Sequence, residues 1–232
     1  AASSNDWSAM KRETMAKRFD LIVFDWDGTL MDSAAAIVAA IQAACVDLDI
    51  APPTDERARH IIGLGLHDAL RGVLPDLEPA RYPEVANRYR HHYLARDHEL
   101  ELFGGAVEMV EALAHAGFML AVATGKSRHG LQRALAGSGL ERHFHAMRCA
   151  DECHSKPHPQ MLLELMDEFA VAPERTLMIG DTTHDLLMAK NASVPALAVA
   201  YGAHPRDVLE AEAPLLCAAT VAEVHAWLMQ HA

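Results

Sequence analysis

Two carboxylates, Asp25 and Asp27, stand two residues apart in the hexapeptide Asp25-Trp26-Asp27-Gly28-Thr29-Leu30. In an extended segment residues i and i+2 share a side, so both acids can face one reacting centre, a geometry suited to phosphoryl chemistry. Three more polar groups follow along the chain. Thr124-Gly125-Lys126-Ser127 offers a hydroxyl and several backbone N–H groups at the start of a helical pattern, a ready anion site. Ser155-Lys156-Pro157 sets a lysine in a proline-stiffened loop, where its point charge can meet a phosphoryl oxygen. Gly180-Asp181-Thr182-Thr183-His184-Asp185 adds two carboxylates for a hard divalent cation such as Mg2+, which binds through one or two carboxylates together with phosphate and water.

Each group follows an apolar run that can position it. Phe19 to Phe24 (FDLIVF) has the composition of a strand buried on both faces of a parallel sheet, and Gly28 then breaks it. Further strands are predicted over 118–123, 146–150, 176–179 and 196–200. Helices are predicted from Ala106, Arg128 and Pro159 and across 186–191, with a weaker final strand–helix pair. Strands alternating with helices predict an α/β fold, a doubly wound (Rossmann-like) parallel sheet whose ligands bind beyond the carboxyl ends of the strands. That core comprises residues 19–32 and 104–232. Between its two parts, residues 33–103 form helical patterns broken by Pro52-Pro53, Gly63, Gly65, Pro75 and Pro83, and read as a helical insertion. Asp32 and Ser33 are placed to cap its alanine-rich first helix, where Ile37, Val38, Ile41, Cys45 and Leu48 recur at helical spacing. Residues 1–18 read as a loosely held tail.

Composition narrows the partners. A chain of 232 residues, 51% apolar, can bury a sizeable core and a second, smaller domain. Its formal net charge of −12 argues against a general nucleic-acid or anionic-membrane surface. An anionic substrate must then rely on local cations, because distant charges are screened beyond about 8 Å. No apolar run approaches the roughly 18 residues of a membrane span, and the first residues carry no signal-peptide core, so a cytoplasmic location is expected. The four cysteines, Cys45, Cys149, Cys153 and Cys217, are scattered and expected to be reduced thiols.

In this order and at these strand ends, the four groups resemble the motifs of the haloacid dehalogenase-like hydrolase superfamily, and more narrowly its phosphoglycolate phosphatase-like branch, from about Phe19 onward. DWDGTL is similar to the first motif, Thr124 to the second, Lys156 to the third and GDTTHD to the fourth; the insertion sits where that family carries a helical cap. The resemblance implies a phosphatase using Mg2+. Asp25 would attack phosphorus to form an aspartyl-phosphate, and Asp27 would protonate the leaving oxygen and then deprotonate the hydrolytic water. Asp27 would need to be held protonated, a task for neighbouring carboxylates. Asp25, Asp181 and the backbone carbonyl of Asp27 would ligate the metal, with Asp185 as an outer partner, while Thr124, Gly125 and Lys156 hold the phosphoryl oxygens.

Branch differences narrow the reaction. Dehalogenases of the superfamily lack the second acid, present here as Asp27. Phosphonate-cleaving members use a cap lysine, yet no lysine lies between Lys17 and Lys126. Phosphomutases of the β-phosphoglucomutase kind remain second to a phosphatase acting on a small phosphorylated metabolite, with 2-phosphoglycolate first. A receiver domain, the alternative of another class, shares the aspartate, threonine, lysine and magnesium but has an adjacent acidic pair and no cap. A monomer or homodimer is expected. In the cap, Arg57 and His67 are the candidates for substrate contact among Arg57, Arg59, His60, His67 and Arg71, which flank Gly63-Leu64-Gly65. Lys126 and Arg128 read as surface charges at a helix start, and His184 as spacing within its motif. Cys149, Cys153, His154 and His158 lack the paired spacing of structural zinc sites, and Lys156 among them would repel a cation.

Overall fold

The computed structural model describes residues 17–232; residues 1–16 of the expected tail lie outside the described residues. Six strands form one parallel sheet: β1 (Leu21–Phe24), β2 (Met119–Thr124), β3 (Ala146–Cys149), β4 (Thr176–Gly180), β5 (Ala196–Val199) and β6 (Cys217–Ala218). Their order is β3-β2-β1-β4-β5-β6, so β1 is central, paired with β2 on one side and β4 on the other. Leu21 is in register with Met119 and Thr176, and Phe24 with Val122 and Ile179. The chain reverses its direction of winding at β1, and the segments after β1 and β4 flank the crevice this opens.

Strand periodicity divides the core into two layers. Ile22 and Phe24 of β1, with Leu120, Val122, Leu177 and Ile179, pack on one face against α5 (Ala106–His115) and α10 (Val221–His231). Leu21 and Val23, with Ala121, Ala123 and Met178, pack on the other against α7 (Gln160–Phe169) and α8 (Thr183–Asn191). All four residues of β1 are wholly buried, which is why the run is apolar throughout rather than alternating. Two further helices, α6 (Arg128–Ser138) and α9 (Arg206–Glu210), complete the alternation.

Residues between β1 and α5 form α1 (Ala34–Asp47), α2 (Asp55–His60), α3 (Leu66–Val73) and α4 (Tyr82–Arg96). They bury a cluster of their own, in which Ile37, Ile41, Ile62, Leu70, Val73 and Val85 take part and Ala203 is the buried member from the sheet side. The chain leaves the sheet and returns to it at one place. Met31 bridges Leu102 in antiparallel fashion, Asp32 N–H donates to the Glu101 carbonyl at 3.0 Å, and Phe103 N–H donates to the Leu30 carbonyl at 2.9 Å.

Among the described residues no helix is long and apolar enough to cross a membrane. Cys45, Cys149, Cys153 and Cys217 are all free thiols.

Candidate active site

Four loops at the carboxyl ends of β1, β2, β3 and β4 meet beneath the helical insertion. Asp25 follows β1 directly and is fully buried; Lys156, in the loop after β3, donates to its Oδ1 at 2.8 Å and to Asp185 Oδ1 at 2.6 Å. Burial alone would push Lys156 down, but the carboxylates of Asp185 and Asp25 more than offset this and hold the ammonium above the ordinary lysine range. Asp25 shows the opposite balance. Burial raises its carboxyl, Asp185 and Asp27 raise it further, Lys156 opposes them, and the result is about 7.

Asp181, at the end of β4, is also fully buried, and burial with the charges of Asp25 and Asp185 raises its carboxyl well above the usual range. Thr29 Oγ donates to its Oδ1 at 3.0 Å and Ala203 N–H to its Oδ2 at 2.7 Å. Gly28 makes room for it: φ is +81°, and a Cβ there would collide with the Asp181 carboxylate. Asp185 sits at the third position of α8, where Thr182 and Asp185 form a reciprocal capping box; its Oδ2 accepts from Thr182 Oγ at 2.7 Å while its Oδ1 accepts from Lys156. Asp185 therefore serves its helix and the cluster at once.

Carboxylate oxygens of Asp25, Asp181 and Asp185 all lie within 4.8 Å of one another. Asp25 Oδ2 is buried and has no hydrogen-bond partner. A buried, unpaired carboxylate oxygen is costly, and three carboxylates converging on it make a donor set that fits a hard divalent cation.

Asp27 lies beside a different set of groups from those expected. Its hydrogen-bond partners are not acids: Lys126 Nζ donates to both oxygens at 2.9 Å, and Ser33 Oγ donates to Oδ1 at 2.7 Å. Ser33 is indeed at the N-cap position of α1 but makes no side-chain cap bond, because its hydroxyl is turned to Asp27. Lys126 is not a surface charge. Its side chain is 11% exposed, and burial, which alone would lower it, is outweighed by Asp27, Tyr93 and Tyr89, so the ammonium is held above its ordinary range.

Asp25, Asp27, Thr124, Gly125 and Lys126 line one cavity of about 1000 Å³ between the sheet and the insertion. Thr124 is almost wholly buried, and its Oγ accepts from Lys126 N–H at 3.2 Å; Ser127, not Thr124, caps α6. The opposite wall is largely apolar, with Ile37, Ile41, Ile62, Leu64, Tyr89 and Tyr93. The insertion is seated on the sheet loops. A Cβ on Gly125 would strike the carbonyl oxygens of Gly63 and Leu64, Gly65 N–H donates to Ser155 Oγ at 2.9 Å, and the ring Nε2 atoms of His184 and His204 bond the His60 carbonyl at 2.7 and 3.1 Å.

Of the two cap residues expected at the substrate, His67 lines the cavity with a mostly exposed side chain. Arg57 does not: it lies outside the lining, and its guanidinium donates to the Val73 carbonyl at 3.0 Å, tying α2 to the end of α3. Arg128 is spent on Glu152 and the Met147 carbonyl. Among the four residues without zinc spacing, Cys149 is buried, Cys153 faces Glu164, and His154 stacks on His158.

Sequence reasoning missed Lys126, Ser33 and Tyr93. Among the described residues, Lys126 and Lys156, in the loops after β2 and β3, are the lysines buried against carboxylates. A lysine adjoining Thr124-Gly125 was the available signal.

The sequence matches the haloacid dehalogenase-like hydrolase family over residues 22–199. It is 39% identical over 211 residues to a Dickeya dadantii (strain 3937) protein named "Probable phosphatase IndB", covering 88% of this chain and 91% of that one. Identity is 33% over 218 residues with a 5'-nucleotidase of Pseudomonas aeruginosa, covering 93% and 98% of the two chains. With a phosphoglycolate phosphatase of Agrobacterium fabrum (strain C58) it is 31% over 198 residues, covering 83% and 85%.

Proposed function

Because this chain belongs to the haloacid dehalogenase-like hydrolase family, we propose that it is a magnesium-dependent phosphatase acting on a small phosphorylated metabolite through an aspartyl-phosphate on Asp25. The observation that carries the proposal is the buried cluster itself: an unpaired Asp25 oxygen, two further carboxylates around it, and Lys156 beneath. Asp25, Asp181 and the backbone carbonyl of Asp27 would hold the cation, with Asp185 as an outer partner. Bound there, it supplies positive charge that keeps Asp25 ionised against its burial and screens the incoming phosphoryl group.

The step starts from Asp27 in its acid form, which the Lys126 ammonium at both oxygens works against: the carboxylate of Asp25 attacks phosphorus, and the bond from phosphorus to the leaving oxygen breaks as Asp27 gives that oxygen its proton. In the second half, Asp27 takes a proton from water as the water oxygen attacks phosphorus and the bond to Asp25 breaks, releasing phosphate. Thr124 Oγ, the Gly125 N–H and the Lys156 ammonium steady the phosphoryl oxygens, and such preorganised charge is the largest single contribution in most sites of this kind. Seating of the cap over the loops excludes water from the first half-reaction.

Of the substrates, 2-phosphoglycolate leads, on the activity named for the Agrobacterium fabrum relative. With Arg57 turned away, the cap groups that line the cavity and can meet its carboxylate are His67, Arg90 and His98. A second reading rests on the cavity: about 1000 Å³ with an apolar wall suits a bulkier leaving group than a two-carbon acid, such as a nucleoside. The receiver alternative falls with family membership, and the mutase alternative lacks a cap lysine. The enzyme is proposed to work in the cytoplasm as a monomer or homodimer, with neither nucleic acid nor membrane as partner.

The test is phosphate release from a panel of phosphomonoesters, with magnesium or chelator, combined with acid-quench trapping of radiolabelled phosphoryl-protein. Label on the wild type, none on Asp25→Asn, and activity lost to chelator are expected. Release that survives either treatment overturns the mechanism, and interconversion of sugar phosphates without release favours the mutase.

A further inference from the structure

The ammonium of Lys126 touches the sheet and the cap at once. It holds both oxygens of Asp27 at 2.9 Å and donates to the hydroxyl of Tyr93, on α4, also at 2.9 Å. We propose that Lys126 is a positioning residue, through which seating of the cap aims the Asp27 carboxylate at the leaving oxygen.

Three observations carry this. First, Lys126 is fixed by its own backbone: its N–H donates to Thr124 Oγ at 3.2 Å and its carbonyl accepts from Ala150 N–H at 3.0 Å, so the lysine belongs to the rigid loops of the sheet. Second, the partners beyond it belong to the cap. Tyr93 stacks on Tyr89 with centroids 5.8 Å apart, the Lys126 Nζ lies 4.8 Å from the Tyr93 ring centre, and the end of α4 is tied to α6 by the Asp97–Arg133 ion pair. Third, Asp27 Oδ1 also accepts from Ser33, which leads directly into α1. The cap thus reaches Asp27 from both of its ends, directly through Ser33 and, by way of the Lys126 ammonium, through Tyr93, and those two contacts hold only while α1 and α4 are seated. An acid that must reach a leaving oxygen needs its orientation held, and misplacement of about 1 Å is enough to cost two orders of magnitude.

This inference rests on the role proposed for Asp27, and the experiment separates the two. With full-length protein and magnesium, kcat and KM are measured on an alkyl phosphomonoester, whose leaving oxygen needs a proton, and on 4-nitrophenyl phosphate, whose leaving group does not. Asp27→Asn is the reference and should lose about 100-fold or more in kcat on the alkyl ester and far less on the aryl ester. Lys126→Met should reproduce that split in kcat with KM changed little, and Lys126→Arg should restore part of it. Tyr93→Phe should show the same split at about 10-fold and add nothing in the Lys126→Met background, because one chain of contacts is being cut twice.

Equal losses on both esters for Lys126→Met, or additive losses for the double variant, overturn the positioning role while leaving Asp27 in place. If Asp27→Asn itself shows no split, both the role of Asp27 and this inference fail. Should Lys126→Met not fold, Tyr93→Phe decides alone, since it removes one oxygen: a split supports the proposal, and an equal loss overturns it.

Discussion

A buried acid whose burial outweighs the one ammonium beside it makes a fold that prefers low pH, and the site predicts how strongly. Asp25 is raised from 3.8 to about 7, chiefly by burial, so the folded chain binds that proton more tightly than the unfolded chain by about 4 kcal/mol. Between about pH 4 and pH 7 the folded state therefore carries more protons than the unfolded state, and stability falls as pH rises through that window. Below it the contribution is fully present, and above it is lost. Magnesium, binding the deprotonated fold and not the unfolded chain, restores stability at the high end by mass action. The assay is urea unfolding from pH 4 to pH 8, in chelator and in magnesium, for the wild type and Asp25→Asn. In chelator the wild type should lose up to about 4 kcal/mol relative to Asp25→Asn across the window, since the amide cannot titrate. Magnesium should close most of that gap at pH 8. Parallel pH profiles for the two proteins, or a wild type indifferent to magnesium, would refute the account of the cluster.

Other perturbations follow from single contacts. Gly125→Ala drives a methyl group into the Gly63 and Leu64 carbonyls, so the cap loop must lift; an overpacking cost of about 1–3 kcal/mol falls on the seated state, so kcat/KM should drop about 10-fold or more in steady-state assays and urea unfolding should lose up to that same amount. Thr182→Ala removes the capping box that holds Asp185, at a cost of about 1 kcal/mol in urea unfolding, and should raise the magnesium concentration for half-maximal activity about 10-fold. Leu120→Ala, in the wholly buried middle of β2, should cost about 2–5 kcal/mol of stability while leaving KM unchanged.

The sheet was legible because its signal is local. Leu21 to Phe24 is apolar on successive residues, which only a strand covered on both faces requires, and β1 through β5 fall where those runs predict, within one or two residues at their ends. The motifs were legible for a related reason: Asp25, Thr124 and Asp181 stand at or directly after a strand end, so placing the strand places the residue, and Lys156 lies in the loop that follows β3. Contacts across the cap were not. The bond from Ser33 to Asp27 competes with a capping role that sequence spacing favours, and nothing local decides between them. Lys126 finds Asp27 and Tyr93 at separations of 99 and 33 residues, a distance over which sequence pattern carries no signal. Arg57 differs in the reverse direction: its guanidinium reaches a nearby carbonyl, that of Val73, and lies outside the cavity lining.

The paired crossing of Leu30–Asp32 with Glu101–Phe103 has an engineering consequence. Exit and re-entry lie side by side, so everything between them forms a cassette whose two ends are already joined. A foreign helical bundle with matching terminal spacing, keeping Ser33 and a hydroxyl in the place of Tyr93, can be grafted there without altering the registry of the six strands, giving the same reactive centre a different vestibule.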